Sequence, residues 1–179
     1  MKKELMSWTK AIAIAFILAV LMRQFIFTAT TVYGESMAPT FHSGDVVIVS
    51  KVNDIKRSDT IVFDAPDSDQ GERYIKRVIG MPGDSIEVKD DRLYINGELV
   101  EEPYLEKNKQ KATLGYFTEN FTLDDYTGKS QVPEGYVFVM GDNRLISKDS
   151  RLIGFIALDK VIGKVVFRMY PLTEMKIPE

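Results

Sequence analysis

Arg73-Tyr74-Ile75-Lys76-Arg77-Val78-Ile79-Gly80-Met81-Pro82-Gly83-Asp84 is the stretch on which the fold turns. Read as a strand, it sends successive side chains to opposite faces. Lys76 then shares a face with Tyr74 and Val78, and Arg77 shares the other with Ile75 and Ile79. If either face is buried, one of these cations sits among apolar neighbours. A buried lysine can lose its proton, whereas arginine effectively cannot. A neutral amine held in an apolar setting is a general base. The alternative is an edge strand with Lys76 extending into water.

The sequence around it supports a mostly β protein. Val46–Val49 is a short apolar run following Gly44-Asp45, as expected of a buried strand. Comparable pieces are 60–63, 85–88, 92–95, 136–140 and 164–167, and Asn96-Gly97 is a strong hairpin signal joining 93–95 to 98–100. Beyond residue 32 no long 3.6-residue period occurs. From about 103 to 131 the chain is polar and loop-like, with aromatics at Tyr104, Tyr116, Phe117, Phe121 and Tyr126. This reads as an insertion or cap on an antiparallel β core.

The first 32 residues differ from the rest. They carry four basic side chains against one acidic, a net of +3, whereas the remainder carries 19 against 25, a net of −6. Ala11–Met22 is an unbroken apolar run, and after Arg23-Gln24 it resumes as Phe25-Ile26-Phe27. Twelve residues suit the core of a cleaved secretory signal, but residues 8–27 make about twenty, the length of a membrane span. Trp8 would lie at the near interface, and the Arg23 stem would reach back to the headgroups at the far one. Thr28-Ala29-Thr30 is a poor cleavage site. The expectation is therefore a cytoplasmic tail over 1–7 with Lys2 and Lys3, a transmembrane helix over 8–27, and an extracytoplasmic domain over 33–179.

Composition excludes several chemistries. With no cysteine there is no disulfide, thiol nucleophile or cysteine-ligated metal. The single histidine, His42, cannot build a histidine-rich metal site, and any Ser-His-Asp triad would have to use it. It follows Phe41 in a turn, and no catalytic role is expected of it. The net charge of −3 offers no basic field for nucleic acid. Asp64, Asp67, Asp69 and Glu72 read as a solvated loop.

Three segments remain that can carry chemistry: Gly34-Glu35-Ser36-Met37-Ala38-Pro39-Thr40-Phe41, the Lys76 stretch, and Met140-Gly141-Asp142-Asn143-Arg144-Leu145-Ile146-Ser147-Lys148-Asp149-Ser150-Arg151. Ser36 alone would pass for a turn residue. Taken in order behind an N-terminal anchor, the three closely resemble the boxes of the type I signal peptidases, in the short form found in Gram-positive bacteria. The resemblance covers nearly the whole chain. It implies a β-rich catalytic domain, with residues 85–132 as an inserted second β region.

The resemblance also implies roles. Ser36 matches the family's nucleophile and Lys76 its general base, a dyad working through an acyl-enzyme without any cofactor or metal. Ser147 matches a hydroxyl that orients the lysine amine. Arg77, Asp149 and Arg151 match a charge network behind the site, with Asp142 and Asn143 bracing the same loop. Met37, Phe41, Val47, Tyr74 and Ile75 match the walls of shallow apolar pockets. The Ser36 N–H matches an oxyanion donor. Where some members add a side-chain donor two residues earlier, this chain has Gly34, which supplies only backbone freedom. Leu145-Ile146 is more apolar than usual, and Phe41 replaces a common leucine. The implied partners are exported preproteins cleaved after Ala-x-Ala-type sites, membrane lipid and the secretion translocon, at the cell membrane. Two other classes stay open: a different Ser/Lys protease on the same scaffold, such as the self-cleaving repressors, and an anchored, catalytically silent binding module.

Overall fold

The structure, a computed structural model, describes residues 2–68, 71–110 and 116–177, without the side chains of residues 2, 3, 5 and 23. The expectations for Asp69 and for the Lys2, Lys3 and Arg23 side chains lie outside the described residues. Helix α1 runs Lys2–Phe25, and every side chain described along it is exposed. Among the described residues, no helix is long and apolar enough to cross a membrane.

The apolar run does not end as the sequence suggests. Phe27 belongs to a strand, β1 (Phe27–Thr31), and pairs with Ser50. The alternation of Thr with Phe and Ala suits an extended, half-covered edge. β1 opens a seven-stranded antiparallel sheet with β2 (Val46–Ser50), β3 (Thr60–Asp64), β4 (Arg73–Gly80), β9 (Tyr136–Met140), β10 (Ile156–Ala157) and β11 (Val161–Tyr170). The order is β1-β2-β11-β3-β4-β9-β10. A second sheet, ordered β7-β6-β5-β8, is built from β5 (Ile86–Lys89), β6 (Arg92–Ile95), β7 (Glu98–Val100) and β8 (Phe121–Thr122). Asn96 and Gly97, both at positive φ, form the turn between β6 and β7. The polar stretch adds two short helices, α2 (Glu106–Lys109) and α3 (Leu123–Thr127), and buries Phe117 and Phe121. A last short helix, α4 (Ser150–Ile153), follows β9.

Three apolar clusters hold these layers. Ile79, Phe138 and Met140 of the large sheet meet Ile86, Val88, Leu93 and Ile95 of the small one. Val47, Val49, Val62, Ile75 and Val165 close over Met37 and Phe41. Ile61, Phe63, Val78, Val137 and Val139 form the third. Each fully buried side chain of this kind contributes about 1.5–3 kcal/mol. β4 runs through the middle, and both of its faces are covered. Lys76 and Arg77 are therefore both buried, at 4% and 1% exposure.

Candidate active site

The two cations of β4 are neutralised in different ways. Arg77, which cannot shed its proton, donates from Nε and Nη2 to the two oxygens of Asp142, at 2.8 and 2.6 Å, and from Nη1 to Ser58 O. Its guanidinium also stacks on Tyr104, 3.9 Å from the ring centre. Among the described residues, no carboxylate forms an ion pair with Lys76. Its Nζ lies 2.8 Å from Ser36 Oγ and 3.0 Å from Ile75 O, over the Tyr74 ring. Burial pushes its pKa down, the charges of Asp149 and Asp142 pull it partly back, and the amine settles at about 8.

Ser36 sits on a turn held by Ala38 N–H to Glu35 O and Phe41 N–H to Met37 O. Met37 and Phe41 anchor that turn in the core. The turn leans on the loop after β9: Asn143 N–H donates to Ser36 O at 2.9 Å, and Asn143 Nδ2 to Glu35 O at 3.3 Å. Gly141 makes the approach possible. A Cβ there would run into Ser36 O and the Ser147 side chain, closer than a carbon can come. Gly34, at φ +80°, turns the chain just before the serine and donates its N–H to Ser43 Oγ.

The charge network differs from the one the resemblance implied. Arg77 pairs with Asp142 as a fully buried bridge, and Arg151 with Asp149 as a separate, partly buried one. Asp149 also accepts from Gly141 N–H at 3.0 Å and caps α4. Burial pushes its carboxyl up, but Arg151, Gly141 and the Ser147 hydroxyl together hold it below the ordinary range. The Ser147 Oγ is buried and completes no hydrogen bond of full geometry among the described residues, to Lys76 or to Asp149, although it helps to lower the Asp149 carboxyl. Its placement is set by Ser147 N–H donating to Asn143 O.

Beside Ser36 and Lys76 opens a cavity of about 730 Å³. Val32, Val62, Tyr74, Ile75 and Ile146 give it apolar walls, and Lys148 lies at its rim, paired with Asp67. Of the five residues expected on the pocket walls, Tyr74 and Ile75 line this cavity. Met37, Phe41 and Val47 do not. They are completely buried in the cluster beneath, because the hydrophobic packing of the serine turn onto β2 removes them from any surface. Asp67, expected in a solvated loop, is engaged by Lys148 and lies 3.5 Å from the Tyr74 hydroxyl. His42 contacts Glu35 at 2.9 Å.

Several residues of the site escaped the sequence. Arg144, although inside the third segment, is buried, donates from Nε to Gly141 O at 3.1 Å and pairs with Glu102. Thr40 donates to Asp142, and Arg168 donates to Thr40 O while stacking on Phe41. Buried arginines demand acceptors, so a carboxylate partner for Arg144 was to be expected. The separation of 42 residues hides which one.

A serine hydroxyl thus lies against a buried, easily neutralised lysine at the floor of an apolar cleft. Comparison with known proteins shows the family. The family model "Signal peptidase, peptidase S26" matches residues 5–170. A signal peptidase I of Bacillus caldolyticus is 49% identical over 154 residues, 84% of this chain and 83% of the relative. A signal peptidase IB of Staphylococcus aureus is 43% identical, covering 98% of this chain and 95% of the relative. The crystal structure of a signal peptidase I from Enterococcus faecalis superposes with a TM-score of 0.60 at 41% identity, over 63% of this chain and 97% of that one. The chain belongs to the signal peptidase family, peptidase S26.

Proposed function

We propose that the protein is a membrane-bound serine endopeptidase that removes signal peptides from exported preproteins, with Ser36 as nucleophile and Lys76 as general base. The 2.8 Å contact between Ser36 Oγ and the buried Lys76 amine carries this reading. With the amine neutral, its lone pair accepts the Ser36 proton as Oγ attacks the scissile carbonyl. The tetrahedral intermediate collapses, the protonated amine returns the proton to the leaving amine, and an acyl-enzyme remains on Ser36. Neutral Lys76 then deprotonates a water that attacks the ester, releasing the signal peptide and Ser36. The Ser36 N–H, without a partner among the described residues, serves as an oxyanion donor. Asp142, Asp149, Arg77 and Arg151 hold the loop, and Asn143 and Gly34 set the serine turn. Ser147 acts through Asp149, which lies close enough to bias the Lys76 charge.

The cleft suits an extended peptide. β4 pairs with β9 only from Arg77 onward, which leaves the backbone of residues 73–76 open along the cavity, and β1 is an edge strand on the other side. A substrate lying as a strand points alternate side chains the same way. Residues one and three before the cut then meet the same apolar wall, which fits an Ala-x-Ala preference. Contact of Ser36 with Lys76 favours this over a silent binding module.

Residues 8–27 are assigned to anchoring, with α1 carrying the span as far as Phe25 and Phe27 already in β1, residues 1–7 in the cytoplasm and residues 33–179 outside, beside lipid and the translocon. Its support is the unbroken apolar run 11–22 within α1, a helix of 24 residues or about 36 Å whose described side chains are all exposed. Residues 85–132 are assigned to the inserted cap. The test is cleavage of a preprotein by the detergent-solubilised full chain. Processing should fall by orders of magnitude with Ser36→Ala, with Lys76→Met, or with an aromatic residue at either small position of the substrate. Undiminished cleavage by Ser36→Ala would contradict the assignment.

A further inference from the structure

The two loops that bring Ser36 and its supporting network together are joined by a side chain from elsewhere. Asn108 lies on α2, in the inserted segment, and its amide nitrogen has two protons to donate. One goes to Ala38 O at 2.7 Å, in the turn that carries Ser36. The other goes to Asp142 O at 3.0 Å, in the loop that carries the Arg77 partner. A single planar group therefore spans backbone positions 70 and 34 residues away. The platform beneath it is firm. Tyr104, in the turn leading into α2, stacks under Arg77 and donates to Glu102 at 2.7 Å, and Glu102 is paired with buried Arg144.

We infer that Asn108 is a positioning residue for the cleavage reaction, through which the inserted segment fixes the nucleophile turn against the Asp142 loop. This rests on the Ser36–Lys76 assignment. The direct link between the loops is peptide to peptide, from Asn143 to Ser36 O and Glu35 O. Asn108 adds a second attachment on the far side of Ser36, so the turn is held at both ends. Without it, two carbonyls lose their donor and the turn can drift. Displacements near 1 Å at a reacting centre lower rates about 10²-fold. Asn108 does not line the cavity, bonds Asp142 through the backbone carbonyl, and makes no hydrogen bond to Lys76 or to the Asp142 and Asp149 carboxylates among the described residues, while Arg77 holds the Asp142 carboxylate. Its loss should therefore act on kcat and leave KM and the pH midpoint alone.

The experiment measures kcat, KM and the pH profile of the full chain in detergent with a preprotein substrate, normalised to the folded fraction at the assay temperature. Asn108→Ala and the near-isosteric Asn108→Leu, which removes the donors without adding a charge, should each lower kcat about 10–100-fold with KM and pH midpoint unchanged. Should the alanine variant fail to fold, the leucine variant carries the test. Asn120→Ala, in the same segment but with its side chain bonded among the described residues to Asp90 N–H, should leave kcat as in wild type. Wild-type kcat in either Asn108 variant, a rise in KM in place of the fall in kcat, or an equal loss in Asn120→Ala would overturn the inference. Ser36→Ala is run beside them: residual cleavage there would remove the nucleophile assignment itself, whereas an inactive Ser36→Ala with a fully active Asn108→Ala removes only the role of Asn108.

Discussion

Replacing Lys76 by Met separates catalysis from stability. The folded amine titrates at about 8 against an ordinary value of 10.5, with burial as the dominant cause. Between those values the unfolded chain binds the extra proton, so stability should rise with pH across the window. The penalty is absent above 10.5, grows as pH falls and is complete below about 8. At ~1.4 kcal/mol per pH unit it amounts to about 3 kcal/mol. Met keeps most of the volume and removes the charge, but forfeits the contacts to Ser36 Oγ and Ile75 O, each worth about 1 kcal/mol. The variant should be inactive yet more stable by about 1 kcal/mol at pH 7, with the advantage vanishing and reversing by pH 9.5. Urea unfolding should be followed by circular dichroism, because the only tryptophan, Trp8, lies on α1 and reports little of the domain. Measurements should stop below pH 10, since burial raises the Tyr104 pKa and the stability it contributes is lost at higher pH. In wild type the neutral fraction of Lys76 climbs from about a tenth at pH 7 to about nine-tenths at pH 9, so activity should rise about tenfold. An active Lys76→Met, or an unfolding difference between the two proteins that is flat from pH 7 to 9.5, would refute the buried-base argument.

Three further outcomes follow from the same geometry. Asp142→Ala strands the buried Arg77 guanidinium and should cost about 3–5 kcal/mol by urea unfolding. Because Asp142 holds the Lys76 pKa up, the acidic limb of any residual activity should move to lower pH, and a move to higher pH would contradict the electrostatic assignment. Gly141→Ala pushes a methyl group between Ser36 O and Ser147, so cleavage should be lost even where the variant remains folded; wild-type rates would show that the loops are not so close.

Strand periodicity made β4 legible and posed the choice between Lys76 and Arg77, but it answered only half of it. Periodicity assigns faces, and here both faces are covered, so two buried cations needed two different solutions. The solutions lie far away in sequence: Ser36 for Lys76, and Asp142 for Arg77. Motif order pointed to the segments, and could not pair Arg77 with Asp142 in preference to Asp149. Position in the motifs puts Met37, Phe41 and Val47 on the cleft, whereas the structure buries them, since an apolar residue near a site has the same sequence signature whether it lines the pocket or supports it. Phe27 was absorbed into the helix because one more apolar residue extends a hydrophobic run; its pairing with Ser50 is a tertiary fact. Asn108, within the polar segment from 103 to 131, and the Glu102–Arg144 pair, with one member just before that segment and the other after it, stay hidden because a single polar residue announces no partner.

The most direct test of the account is the covalent intermediate. The full chain in detergent is mixed with excess preprotein, quenched in acid within the first turnover and digested for mass spectrometry. The account predicts a peptide containing Ser36 that carries the mass of the signal peptide as an ester, appearing more slowly at pH 7 than at pH 9 and never in Ser36→Ala. Cleaved preprotein formed at the wild-type rate by Ser36→Ala, or an adduct on any other residue, would contradict it.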